Sequence, residues 1–245
     1  MQEKIQPYGI IIALGILALA IMFASTRVND GLKHFRSFDR YVSMKGLAEK
    51  DVEADLAIWP ISYTETGNDL ESLQNLMDMR GKLITSFLTS HGIEQSEIEL
   101  QQVMVQDLMA QSYRQNNAAV NRYILTQTYL VRTNNVDAVD DAAKKLGKLI
   151  RQGVVFTANS STAPTYLYTK LNEIKPEMIA EATKNARKGA KEFAKNSGQK
   201  VGGIKYASQG IFQILSRDKT YAVQEAQQRN KKVRVVSTIQ FYLED

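Results

Sequence analysis

From Gly9 to Ala24 the chain reads GIIIALGILALAIMFA, with no charged side chain. Backbone amides placed in hydrocarbon have no water to bond. Such a run is therefore forced into a helix, where each N–H meets a carbonyl of its own segment. From Tyr8 to Ala24 the helix would span roughly 26 Å at about 1.5 Å per residue, the lower limit for crossing a bilayer core. The competing reading is a secretory signal peptide, whose apolar region is about 7 to 15 residues and ends at a small-x-small cleavage site. Ala18-Leu19-Ala20 has that pattern but lies inside the run, and Phe23-Ala24-Ser25-Thr26-Arg27 makes a poor site. An uncleaved anchor is the favoured reading, and a cleaved leader stays open. A buried core helix would show polar breaks or amphipathic periodicity, and neither is present.

The run divides the chain into three parts: residues 1–26, a membrane anchor or signal sequence; residues 27–40, a polar connector; and residues 41–245, an α+β body. The body's length suits one domain or two small intertwined halves. Orientation receives two opposed signals. Arg27, Lys33, Arg36 and Arg40 follow the span, and the positive-inside rule would keep that side cytoplasmic. The chain contains no cysteine, which suits an oxidising compartment. Charge is also uneven. Lys170 to Arg234 holds 15 basic and 6 acidic residues, against 16 and 18 before Lys170, so the net charge of +5 belongs to the C-terminal third.

Along the body, strands and helices alternate. Tyr41–Glu49 and Asp51–Glu65 are expected as two strands joined by a turn near Glu49-Lys50, with Val52, Ala54, Leu56 and Ile58 on one face. Pro60 cannot donate to a ladder, which places the second strand at an edge or a bulge. A helix follows, capped by Asn68 with Glu71 three residues on, carrying Leu70, Leu73, Met77, Ile84, Phe87 and Leu88 as its stripe and stopping at Gly92. Ile98–Gln111 and Arg122–Thr133 form a strand pair, with residues 112–121 as the hairpin loop. Val136–Gln152 is a second helix whose acidic start and basic end suit its dipole. Short strands are expected at Val154–Ala158 and Thr165–Leu171. A long helix, Pro176–Asn196, repeats Ala182, Ala186, Ala190 and Ala194, small residues that permit close packing on a sheet. Lys200–Ser216 and Lys231–Leu243 complete the strands. The fold class is α+β, with largely antiparallel sheets and two or three packed helices.

Reactive chemistry is scarce. The two histidines, His34 and His91, have no cysteine to join and no ligand spacing with carboxylates, so no metal or cofactor is expected. No Gly-x-Ser-x-Gly elbow is present, and Ser216-Arg217-Asp218-Lys219 reads as a polar turn. Gly198, Gly202 and Gly203 lack the spacing of a phosphate-binding loop. Asp51, Glu53 and Asp55 read as the solvated face of a strand. The expectation is a protein that is not an enzyme. The one functional cluster is on the long helix. Lys184, Lys188, Lys191 and Lys195 fall on one face with Arg187 adjoining, a surface suited to anionic lipid headgroups, envelope components or the acidic edge of another subunit. No aromatic residues interleave with these lysines as stacking platforms, which argues against nucleic acid.

Several stretches resemble the SIMPL-domain family, the group that includes periplasmic immunogenic and oxidative-stress-defence proteins of bacterial envelopes. They are Val42 to Glu49 (VSMKGLAE), Phe87 to Ile93 (FLTSHGI), Glu97 to Leu100 (EIEL), Arg122 to Val131 (RYILTQTYLV) and, most specifically, Ala182 to Gly203 (ATKNARKGAKEFAKNSGQKVGG). Asp51 to Asp55 stands where that family has a proline-aspartate pair, so that turn departs from the pattern. The resemblance implies an extracytoplasmic α+β domain that assembles into ring-like oligomers with a central channel, and it carries over no catalytic residue. With the anchor, the expectation is a single-pass inner-membrane protein whose body lies in the periplasm, a homo-oligomer linked to stress tolerance. The alternative is a binding module for an anionic ligand or lipid surface through the basic helix face.

Overall fold

The computed structural model describes residues 14–18, 22, 40–110, 121–157, 163–218 and 224–244. The expected span Tyr8–Ala24 and the hairpin loop at 112–121 fall mostly outside these. Among the described residues, no helix is long and apolar enough to cross a membrane. The body is α+β and divides into two compact units: a terminal unit (up to Ala48, Pro176–Phe212 and from Val235) and a central unit (Glu49–Lys175 and Gln213–Arg234).

In the central unit, four antiparallel strands run in the order β3-β4-β2-β5: β2 (Leu56–Gly67), β3 (Ile98–Asp107), β4 (Tyr123–Thr133) and β5 (Thr165–Leu167). β2 and β4 pair along their length, from Ala57↔Thr133 to Gly67↔Tyr123. Ala57, Trp59, Ile61 and Tyr63 are the buried face of β2, matched by Leu125, Gln127 and Val131 of β4. Helix α1 (Leu70–Ser90) covers them with Leu73, Met77, Ile84, Phe87 and Leu88. Helices α2 (Val136–Lys144) and α3 (Gly147–Arg151) add Val139, Ala142 and Leu149 to the same core.

Four expectations are corrected here. β1 (Tyr41–Glu53) continues through Glu49-Lys50, and the chain turns at Ala54-Asp55 instead. The cause is visible in the hydrogen bonds: the Ala54 N–H goes to the Arg229 carbonyl and the next, Asp55, to the Leu167 carbonyl, both at 2.9 Å. β1 and β2 thus leave for different sheets, and the core face of β2 is the one opposite to that expected. Pro60 sits inside the sheet, paired with Leu130. Its missing N–H points to the other side, where β5 reaches only Ile58 and the next bonds begin at Ser62 and Thr64, so no donor is needed. Asp69 caps α1, accepting from the Ser72 N–H at 2.8 Å, while Asn68 accepts from the Arg122 N–H. The expected helix Val136–Gln152 breaks after Lys144, where the Lys145 N–H bonds the Ala142 carbonyl.

The terminal unit lays one helix on a sheet. Helix α4 (Leu171–Asn196) starts five residues before Pro176 and stops at Gly198, whose φ of 71° is left-handed. Its ridge of Ala182, Ala186, Ala190 and Ala194 is buried as expected. Beneath it lie Val42 and Met44 of β1, Val201 of β6 (Lys200–Gln209), and Ile239, Phe241 and Leu243 of β8 (Asn230–Glu244). The strand order is β1-β8-β6. A Cβ on Gly46 would collide with the Ala182 carbonyl and crowd the Ala186 nitrogen, so only glycine lets β1 approach the helix this closely. The single strand expected over Lys200–Ser216 is interrupted at Gly210, which donates to the Val236 carbonyl. It resumes in the central unit as β7 (Gln213–Ser216), paired with β8 from Gln213↔Arg234 to Ser216↔Lys231.

Candidate functional site

Alanine burial on α4 dictates which residues face outward. Lys184, Lys188, Lys191 and Lys195 are all exposed. Arg187 is half-buried, with its guanidinium 5.1 Å from the centroid of the Phe241 ring, a cation–π contact that turns it toward the sheet. Glu192 stands exposed between the lysines and Glu181 just before the first of them, diluting the positive field. The C-terminal pair is drawn into a concave feature. Lys191, Ala194 and Lys195 line an open depression of about 370 Å³ with Gln199, Lys200 and Val201. The helix stop shapes it: the Gln199 N–H reaches back to the Ala194 carbonyl at 2.8 Å, folding the start of β6 against the last helical turn. Lys200 was not part of the expected basic face. It is a strand residue, and helical spacing cannot reach it.

A second surface feature comes from the sheet edges. β3 is the outermost strand of its sheet and is exposed on both faces from Glu99 to Gln106. Leu100, Val103, Met104 and Val105 are about half exposed, Met104 at 53%. β6 is the outermost strand in the terminal unit and is likewise open from Gly203 to Gln209, with Ile204 and Tyr206 exposed. The signal was readable in part. Val103-Met104-Val105 is an unbroken apolar run, which period-2 burial of one face cannot account for.

Several ionisable groups of the central unit are engaged in holding the fold. Arg229 pairs with Glu53 at 3.4 Å and with Asp137 at 2.5 Å. Burial works against its charge, but these carboxylates outweigh that and raise its pKa. Asp55 is likewise opposed by burial. Two short bonds from Thr169, N–H and hydroxyl each at 2.6 Å, still hold it below its ordinary value. Lys231 is 1% exposed, with Nζ bonded to the carbonyl and carboxylate of Glu225. The Tyr63 hydroxyl lies 2.7 Å from Gln127 Oε1 and 3.0 Å from the Met77 carbonyl, and burial raises its pKa. His91 donates from Nδ1 to the Phe87 carbonyl at 2.7 Å, tying the end of α1. His34 lies outside the described residues. Ser216 and Arg217 stand at the end of β7, and Arg217 pairs with Asp218 at 2.8 Å. Among the described residues, no group of three or more His, Cys, Asp or Glu is placed to hold a metal ion.

Residues 42–241 match the family model SIMPL, described as a protein of unknown function (DUF541). A search of curated proteins gave no match.

Proposed function

The chain belongs to the SIMPL family, and from that premise we propose that it is a membrane-anchored, extracytoplasmic structural protein that works by self-assembly. The uncharged run Gly9–Ala24 supports the anchor, and the absence of cysteine supports an oxidising compartment. The observation that carries the reading is the pair of sheet edges. Among the described residues, β3 and β6 are outermost strands flanked by exposed apolar side chains, and β3 lacks the lysine or proline with which folded proteins ordinarily protect such an edge. A ring with a central channel and a part in stress tolerance are the forms of assembly this reading favours.

The test is the mass of the full chain in detergent, by light scattering after size exclusion. A discrete multiple of the 27.5 kDa chain is expected, and a strict monomer at micromolar concentration ends the proposal. Placement is tested with Lys82→Cys on the exposed side of α1, since the chain has no thiol of its own. An impermeant maleimide should label it in spheroplasts, and protection until lysis would put the body in the cytoplasm.

A second reading is favoured by the three-lysine depression: capture of an anionic ligand or lipid surface by Lys191, Lys195 and Lys200, with Lys184 and Lys188 extending the field. Co-sedimentation with vesicles rich in anionic lipid tests it. The excess of pelleting with anionic over neutral vesicles should vanish in Lys191→Glu with Lys195→Glu, and an unchanged excess removes this reading.

A further inference from the structure

Of the four end strands in the two sheet orders, β3 and β6 are the ones exposed on both faces, which raises the question of what each would pair with. An edge strand offers alternate N–H and C=O groups, and natural sheets blunt such edges with lysine, proline or an inward charge. Apart from a bulge between Leu100 and Gln102, β3 has none of these protections. Its sequence, IELQQVMVQD, contains no basic residue and no proline, and its register with β4 is regular from Gln102 to Asp107. β6 is regular against β8 from Tyr206 to Gln209, beyond the irregularities at Val201–Tyr206.

Charge distinguishes the two. From Ile93 to Ala110 the chain carries Glu94, Glu97, Glu99 and Asp107 and no lysine or arginine; Arg122 pairs with Asp107, so the three glutamates carry the net negative charge. From Gln199 to Ser216 it carries Lys200 and Lys205 and no acidic residue. A β3 edge laid on another β3 would set acidic residues against acidic residues, and β6 on β6 would set lysine against lysine, each unfavourable across a strand pair. Laying β3 on β6 joins opposite charges and brings Val103, Met104 and Val105 beside Ile204, Tyr206 and Ala207.

We propose that β3 of one copy pairs edge to edge with β6 of a second copy, so that each molecule uses one edge to give and the other to receive. This deepens the self-assembly reading and rests on it. Because the two surfaces differ, the contact is heterologous. Such a contact repeats from copy to copy, closing into a ring where the rotation permits and growing as a filament where it does not. Oppositely charged edges also make assembly weaker as salt rises.

The test uses the full chain in detergent micelles and two variants at exposed positions, Val103→Lys with Val105→Lys on β3, and Ile204→Asp with Tyr206→Asp on β6. Circular dichroism confirms that each remains folded. Each variant alone is expected to run as a monomer, because its altered edge repels the intact edge of its neighbours. A one-to-one mixture should regain at least the dimer, since an intact β6 from one variant meets an intact β3 from the other. A β6 variant that assembles as wild type does would mean that β3 pairs with β3, and the proposal falls. No recovery on mixing overturns it too, while leaving self-assembly standing if the unaltered chain is oligomeric. A monomeric unaltered chain removes both. Cross-linking gives the contact directly. Met104→Cys and Ala207→Cys are each expected to give no dimer with a short bismaleimide when alone, and a covalent dimer when mixed. Dimer from Met104→Cys alone is the result that contradicts the pairing.

Discussion

The two units bury their interiors by opposite means. In the central unit, large side chains fill the space between sheet and helix: Trp59, Tyr63, Met77, Ile84, Leu88 and Leu125 are all essentially inaccessible. In the terminal unit, α4 buries Met178 and then only methyl groups, from Ala182 to Ala194, and a glycine of β1 lets the backbones come together. Burying apolar area stabilises at about 25 cal/mol per Å², so bulky side chains make the central core the larger source of stability. Small residues contribute through close backbone contact, which leaves no slack. The first kind of core should suffer most from removal of atoms, the second from their addition.

The largest effect expected is therefore truncation in the central unit. Trp59→Ala should lower stability by about 3–5 kcal/mol, the usual loss for deleting a buried large aromatic side chain. Trp59 is the chain's only tryptophan, so fluorescence of the unaltered chain follows the central unit alone. Urea melts by circular dichroism measure the variant. A loss under about 1 kcal/mol would mean that the pocket collapses around the missing ring.

Next comes an addition in the terminal unit. Gly46→Ala places a methyl group against the Ala182 carbonyl, and helix backbone cannot yield as a flexible side chain can. About 3 kcal/mol is expected, the upper part of the range for overpacking. By contrast, Ala190→Gly on the same ridge should cost only about 1 kcal/mol, mainly helix propensity. If the glycine-to-alanine change were the milder of the two, the contrast between the units would be wrong.

A smaller loss probes the polar part of the central core. Tyr63→Phe keeps the ring but strands the Gln127 amide oxygen, which is 4% exposed, without its partner at 2.7 Å. An unsatisfied buried acceptor costs about 1–3 kcal/mol, and a loss in the smaller half of that range is expected. Urea melts of Tyr63→Phe beside Gln127→Leu decide it, since removing both partners together should restore part of the loss.

How far the sequence revealed this depended on how local each determinant was. The alanine ridge, the stripe of α1 and the alternation of β8 are periodic, and period is set by the element itself. The helix stops at Gly92 and Gly198 were equally legible, because a positive φ selects glycine. The turn at Ala54-Asp55 was not. Asp55 is a turn-forming residue, but Asp51 beside Glu49-Lys50 is one too, and the bend is placed by Arg229 and Leu167, far along the chain, which take successive amides. Asn68 and Asp69 are adjacent cap formers, and Arg122, 54 residues away, settles which of them serves. The lysines of α4 were legible as a face, but the depression at its end needed the turn that returns Lys200 to them. The open edges were legible only in part, through the apolar run Val103–Val105, because which strand lies outermost is a property of strand order.

The turn at Asp55 also supplies the smallest effect, and it distinguishes a structural carboxylate from a ligand-binding one. Two donors of Thr169 hold Asp55 below its ordinary pKa of 3.8 despite the opposing effect of burial. A carboxyl whose folded pKa is depressed contributes stability that is complete above the unfolded value and is lost as pH falls through the folded one. Between pH 7 and about 5 Asp55 should therefore contribute nothing to the pH dependence of unfolding, and from about pH 4 downward its share should drain away. Asp55→Asn retains an acceptor for the Thr169 hydroxyl or N–H and carries no charge to titrate. Its urea midpoint should lie below that of the unaltered chain at pH 7, with the gap narrowing as pH falls below about 4. Trp59, four residues away, reports the melt. A gap that stayed constant with pH would assign the loss to geometry rather than to the charge held by Thr169.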